Sequence, residues 1–428
     1  MERLLAFLLV VGLFSSLVAC TAPPPDDSVS ILEKIEPSYP AAIAFADAIA
    51  LNALRKTNQI SETFDKALSQ FAYKTAVPIL QGGTTNVFYS PISLYIALSL
   101  AGSGANGSTQ NEIISLLGIN DPAKLLEQNG KLYRLLYSDN EISQLKIANS
   151  LWLDDEYQGE KVKSKETFTQ NAVDSFYASL FKADFALEST SRAMAQWIAD
   201  NTNNTLSPEF EPDPEQIMSI INTIYFRDEW LNRFDSKMTK ADIFHLANGQ
   251  TLTCNFMNQI NGSADFSTGD GFTRAALQLK SWGSMMFVLP DQDVPLTELI
   301  STPAKLKESL EGGQSSHGKV TWKIPKFNYD GRLDLVDILK DLGVKAAFGG
   351  DADFSGITDH QAFISSIIQN THIAIDENGV EASAFTKIDF YGAAMPEGQA
   401  DMILDRPFLY GIYSATGQLL FIGICGNP

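Results

Sequence analysis

Residues able to do chemistry are sparse in this chain. Its four histidines, His245, His317, His360 and His372, are scattered, and none sits in an HExxH or beside a CxxC. A hydrolase needs a placed nucleophile and base. No GxSxG occurs, and no His has a recognisable triad context along the sequence. No metal-ligand cluster is visible, so neither a metal nor a cofactor is expected. Gly102, Gly104 and Gly107 spell GxGxxG, but that motif cradles a dinucleotide only between a strand and a helix. Here it follows an apolar helical run. One segment stands out for another reason. IDENGVEASAFTKIDFYGAAMPEG, residues 375–398, alternates like a strand yet is rich in Gly, Ala and Ser, and it runs into a turn-like tail.

The surrounding elements read more plainly. Phe64, Leu68, Phe71 and Ala72 recur at helical spacing after a capping Ser61. NVFY, residues 86–89, predicts a short buried strand. Ser90 can then cap a helix with Pro91 at its first position, and the run that follows is apolar all round, so it should be buried. Thr109 and Glu112 predict a capping box for the next helix. Strands are predicted over 147–153 and 217–230, the second ending at Trp230, and a tight hairpin over the last 25 or so residues. Helices crowd the first half and strands the second. The fold class is α+β.

Charge excludes some partners. The chain has 31 basic and 51 acidic residues, a net charge of −20, and no Lys/Arg-rich run. Nucleic acid is not expected as a partner. The start, MERLLAFLLVVGLFSSLVAC, reads as an export signal over residues 1–19. Leu17-Val18-Ala19-Cys20 resembles a bacterial lipoprotein signal, which implies cleavage before Cys20 and a lipid on its sulfur. Residues 20–58 then read as a tether, with one helical patch, AAIAFADAIALNAL. The expected location is a lipoprotein held at the cell envelope or surface, or a secreted protein. Cys254 and Cys425 read as buried thiols, and their pairing stays open.

From residue 59 onward the chain resembles a serpin. NVFYSPISL, GANGSTQNEI, IANSLW, INTIYFRDEW, WKIPKFNYD, ADFSGI, IDENGVEASA, DRPFLYGIY and FIGICGNP follow one another in that family's order. The resemblance implies one large domain over 59–428, with a central, mostly antiparallel sheet, two smaller sheets and an exposed reactive loop, 377–405. It implies inhibition of a serine protease, with cysteine proteases a second class, by a monomer. It places Ser90, Pro91, Ser93 and Asn222 in the shutter beneath the opening sheet, and Trp230 and Lys326 at the breach, its top. Gln369 stands where the family commonly has a shutter His, and Ala195 where it often has an Asn.

The resemblance also accounts for the odd segment. Glu377, Gly379, Val380, Glu381, Ala382, Ser383 and Ala384 match the hinge of the reactive loop, and family spacing from Glu377 implies a scissile bond at Ala393–Ala394. The loop is expected to stand exposed until cut and then to enter the sheet as a strand. A strand alternates faces. Val380, Ala382, Ala384, Thr386, Ile388 and Phe390 form one set, apolar or small throughout; Glu381, Lys387 and Asp389 fall in the other, which can stay solvated. Ala at the scissile bond suits elastase-like or subtilisin-like enzymes. A non-inhibitory serpin, acting as a binding or scaffold protein, is the alternative.

Overall fold

The computed structural model describes residues 31–428 except 83, 158 and 382–397. Among the described residues an eight-stranded sheet forms the centre of the molecule. Its strands are β1 (Ile31–Ile35), β2 (Gln144–Asp154), β3 (Ala178–Ala183), β4 (Met218–Glu229), β7 (Phe327–Asp334), β8 (Ile368–Ile375) and β9 (Gly379–Val380), with the pair Ser138–Asp139 beside β2. The order across it is β1-β3-β2-β4-β9-β8-β7. Between β4 and β7 in the chain come β5 (Thr251–Gly269) and β6 (Gln314–Pro325), and near the end β10 (Gly398–Ile403). These three belong to a nine-stranded sheet that passes through the hairpin Phe408–Tyr413 and Leu419–Cys425 and ends in Val87–Tyr89, the short buried strand expected from NVFY. The long strands β5 and β6 bridge what would otherwise be two smaller sheets and join them into one, with a register shift between Asn261 and Ala264.

Local signals set the helices. Helix α2 (Glu62–Leu80) starts where Ser61 Oγ accepts from the Phe64 N–H. Helix α3 (Pro91–Ser103) starts at Ser90, whose Oγ accepts from the Ser93 N–H, and is buried on all sides. It lies against one face of the central sheet. The other face is covered by Glu188–Asn201, where Trp197 and Met194 join Trp152 and Phe181 in a second apolar cluster.

Two expectations change. The helix after α3 begins at Gly107, so Thr109 and Glu112 fall inside it and make no capping box. They hold the chain across from them instead: Thr109 Oγ1 accepts from the Asp353 N–H, and Glu112 Oε2 accepts from the Lys345 and Ala346 N–H groups. The glycines before them serve packing. A Cβ on Gly104 would stand 2.2 Å from an Ile357 side-chain carbon.

Residues 31–57, read as part of a tether, pack on the body of the molecule instead. Residues 31–35 are β1, paired antiparallel with the edge of the central sheet, Ile35 opposite Leu180. Tyr39 stacks on Tyr137, ring centroids 6.2 Å apart. Phe45, with Leu51 and Leu54 of helix α1 (Ala48–Thr57), lines a pocket also formed by Tyr137, Phe226 and Tyr413. The reason is general: an open sheet edge and exposed aromatic rings are covered when nearby chain can reach them. Cys254 and Cys425 are both free thiols.

A chain starting at residue 59 should therefore melt a few degrees below the full-length protein in a scan at fixed heating rate. An unchanged transition would mean that β1 and its neighbours contribute nothing to the sheet's edge.

Candidate functional site

The unusual place in the central sheet is between β4 and β8. They are its middle strands, yet among the described residues they share no direct ladder. Only β9 joins them: Val380 pairs with Ile375 on β8 and with Asp228 on β4, and Gly379 pairs with Glu229. Val380 is 2% exposed. The expectation that it stands in an exposed loop is thus corrected. It is already seated, because a small apolar side chain finds a closed pocket there and its backbone finds partners on both sides.

Gly379 makes the seat possible through close approach. A Cβ there would lie 2.2 Å from the Asp228 carbonyl oxygen. The left-handed residue is its neighbour Glu381, at φ 55°, whose N–H donates to Ala374 O (2.9 Å). Glu381 does not stand free in solvent as alternation suggested. It is half-buried, facing Arg227 and Tyr225 of β4 and His372 of β8, and burial pushes its carboxyl up to about 7 against the pull of His372 and Arg227. His372 Nδ1 in turn lies 2.6 Å from Asp330.

Around this seat the residues expected at the breach are tightly hydrogen-bonded. Trp230, 1% exposed, donates its backbone N–H to Asn378 O and its Nε1–H to Asp376 O, each at 2.9 Å. The Phe234 N–H donates to Glu377 O at 3.0 Å. The Glu377 carboxylate takes Lys326 Nζ on one oxygen and the Thr239 hydroxyl on the other, both at 2.7 Å. Burial alone would raise its pKa, but Lys326 and Thr239 outweigh burial and hold it below the usual range. Asp228 is fully buried, and burial pushes it up to about 7 even though Ser281 Oγ and the Glu229 N–H donate to it. Glu229 next to it is paired with both Lys280 (2.5 Å) and Arg233 (2.7 Å).

Lower in the same gap lie the residues read as a shutter. Gln369 holds the backbone of Ser90 twice: the Ser90 N–H donates to Oε1 (2.7 Å) and Nε2 donates to Ser90 O (3.0 Å). Gln therefore fastens β8 to the start of α3 in place of a His. Ser90 Oγ donates to Leu420 O (2.8 Å). Asn222 does not join this group. It donates to Asn149 Oδ1 (2.6 Å), and Asn149 donates on to Phe176 O. Ser93 Oγ, Asn222 Oδ1 and Thr223 Oγ1 are buried without a hydrogen-bond partner. A cavity of about 20 Å³ sits between Leu94 and Leu98 of α3, Ile220 and Asn222 of β4, and Ile368 and Gln369 of β8. Cys20, Ala382, Ser383, Ala384, Ala393 and Ala394 lie outside the described residues. Among the described residues no cluster of His, Cys, Asp and Glu could hold a metal. One group that sequence spacing did not signal is Ser263, His317 and Asp265, which the β5–β6 register brings together.

The seat should respond to pH. Asp228 and Glu381 have raised folded values, so their contribution to stability is full in acid and is lost as pH rises through about 7. Glu377 runs the other way, contributing above the ordinary carboxyl range and losing that as pH falls through its lowered value. Asp228→Asn should raise the melting temperature at pH 8 and flatten its climb from pH 8 to 5. A variant whose profile overlays the parent's would show that Asp228 titrates as an ordinary carboxyl.

The family model described as Serpin (serine protease inhibitor) matches residues 66–428. Serpin-ZX of Arabidopsis thaliana is 28% identical over 369 residues, covering 80% of this chain and 92% of that protein. The native state of tengpin, a thermophilic serpin, aligns with a TM-score of 0.77 at 25% identity, over 92% of this chain and 98% of tengpin. Serpin48 of the insect Tenebrio molitor aligns at 0.74 with 27% identity, over 86% and 99%. The gap between β4 and β8, the buried Trp230 above it and these matches along almost the whole described chain have one reading: the chain belongs to the serpin family, whose members are generally serine protease inhibitors.

Proposed function

We propose that the protein inhibits serine proteases as a suicide substrate. A target enzyme attacks the loop at Ala393–Ala394 and forms an acyl-enzyme. The freed loop then continues the strand that β9 begins, between β4 and β8, and carries the acylated protease with it. Strand addition of this kind is the family's known device. The observation that carries the reading is the seated pair Gly379–Val380 with its ladders to both neighbours. Insertion extends a strand already begun. Val380 faces inward, so period two puts Ala382 and Ala384 inward after it, where small side chains enter easily. From Val380 to Gly392 the strand would span about 43 Å.

Ala393 in the primary pocket favours elastase-like or subtilisin-like targets, with broad selectivity because one methyl group adds little binding. Cysteine proteases are a second class to test. The protein acts as a monomer, exported and held to a membrane by a lipid on Cys20. No helix of the described residues is long and apolar enough to cross a membrane.

Incubation with a protease panel tests this. An elastase-like or subtilisin-like enzyme should give a complex that survives a denaturing gel, together with a released peptide beginning at Ala394. Cleavage without complex by every enzyme would favour a binding or scaffold role. Ala393→Arg should redirect inhibition to trypsin-like enzymes, whose acidic pocket pairs with a guanidinium. Trypsin cutting after Lys387 instead would displace the assigned bond.

Val380→Arg is the sharper variant. A guanidinium cannot share the buried seat, and an unpaired buried charge costs several kcal/mol. The hinge should leave the sheet in the uncut protein, so a non-target protease should cut near residues 376–381 faster. The yield of stable complex should fall at least about tenfold, since each 1.4 kcal/mol on the insertion barrier is a factor of about ten. Parent-like complex yield would show that Val380 need not be buried for trapping.

A further inference from the structure

We propose that Ser263, His317 and Asp265 form a reactive serine site that takes small carboxylic esters. The proposal does not rest on the chemistry of the reactive loop. Asp265 on β5 is directly opposite His317 on β6. His317 Nδ1 lies 2.7 Å from Asp265 Oδ1, and His317 Nε2 lies 2.7 Å from Ser263 Oγ. A carboxylate can only accept, so the ring proton belongs on Nδ1, and Nε2 is left to accept from the serine hydroxyl. Nucleophile, base and orienting acid are thus in the order and at the distances that acyl transfer needs. The β5–β6 ladder slips between Asn261 and Ala264, and this irregularity presents Ser263 beside His317.

The site opens on a groove of about 650 Å³. Leu231, Phe266, Leu277 and Met286 give it apolar walls suited to a short alkyl or aryl acyl group. Its polar side is unusual. Gln259 Nε2 donates to Asn261 Oδ1 (2.6 Å), while Gln259 Oε1 is buried with no partner. Among the described residues Asn261 Nδ2 donates to nothing, and Asn261 lines the groove two residues from Ser263. A side-chain amide in that position can donate to the oxygen of a tetrahedral intermediate.

The step balances without a co-reactant. Ser263 Oγ attacks the ester carbonyl carbon as its proton passes to His317 Nε2. The bond to the alcohol oxygen breaks, and His317 returns the proton to it. Water repeats the sequence on acyl-Ser263 and releases the acid. The Asp265 side chain is 89% exposed, so the relay works in a high dielectric and its rate sits at the low end of general-base catalysis.

p-Nitrophenyl acetate with the full-length chain is the test. We expect acetylation of the peptide carrying Ser263, seen by mass spectrometry, and nitrophenol release at least about tenfold faster than in Ser263→Ala or His317→Gln. Asp265→Asn should keep the acetyl site but slow it. A fluorophosphonate should label Ser263 in the parent and not in His317→Gln, with both proteins melting alike. Acetyl groups found only on lysines, or equal rates in parent and Ser263→Ala, would overturn the proposal.

Discussion

Everything in the central sheet is arranged around one strand position that the described chain fills only at its top. A backbone edge buried without partners is costly, so sheets are normally continuous through the middle. Here β4 and β8 meet through two residues, Gly379 and Val380. Gly379 has to lack a Cβ to lie against Asp228, and Val380 has to be apolar to fill the pocket. Nearby, the side-chain oxygens of Ser93 and Asn222 on the α3 side, and of Thr223 on the opposite face of β4, are buried without a partner. Each such atom costs about 1–3 kcal/mol when left unsatisfied. Below Val380 the facing edges of β4 and β8 have no ladder to each other among the described residues, and a further length of strand would pair them; in the proposed mechanism the barrier to that pairing is kinetic.

Charge keeps the top of that gap poised. Glu377 is anchored outward by Lys326 and Thr239, which fixes the start of the hinge. Asp228 and Glu381 stand on either side of the seated pair with carboxyls that burial makes reluctant to ionise. One carboxylate holds the hinge by being charged, and two hold it best when neutral. Arg227 and His372 soften the cost for Glu381, and Ser281 does so for Asp228. The hinge is thus neither locked in nor expelled by electrostatics alone.

Much of this was legible where the signal is local. Ser90 and Pro91 announce a helix start because a cap depends on residues a few positions apart. Trp230, Lys326 and Glu377 were singled out by the family's motifs, and the structure brings all three beside the seated pair. What escaped the sequence was set by contacts between distant segments. Alternation says which side of a strand Val380 occupies, but not that the strand has already begun. Nothing near residues 31–35 says that the edge of Ala178–Ala183 is open. Thr109 and Glu112 have the spacing of a capping box, yet the helix starts two residues earlier and they serve chain more than 230 positions away. Ser263 and His317 are 54 positions apart, and only the irregular β5–β6 register makes them neighbours.

The same strand that carries His317 also decides why the proposed insertion needs a cut. β10 lies parallel on β6 from Gly318–Gly398 to Lys323–Ile403, and the chain continues with the Leu404 N–H donating to Lys323 O. The pairing is close at its start: a Cβ on Gly318 would be 2.0 Å from Gly398 O. Between the seated hinge and β10 there are 17 residues, 381–397, which reach at most about 56 Å when extended. Going down the gap with residues 381–392 takes about 40 Å of this and leaves 393–397, about 16 Å of chain, to come back up. An uncut loop therefore cannot fill the gap while β10 stays on β6. It must either tear that ladder away, six residue pairs beginning at Gly398, or be severed. Severing it would cost the protein no ladder at all, and that difference would make a protease's attack the trigger of the proposed insertion.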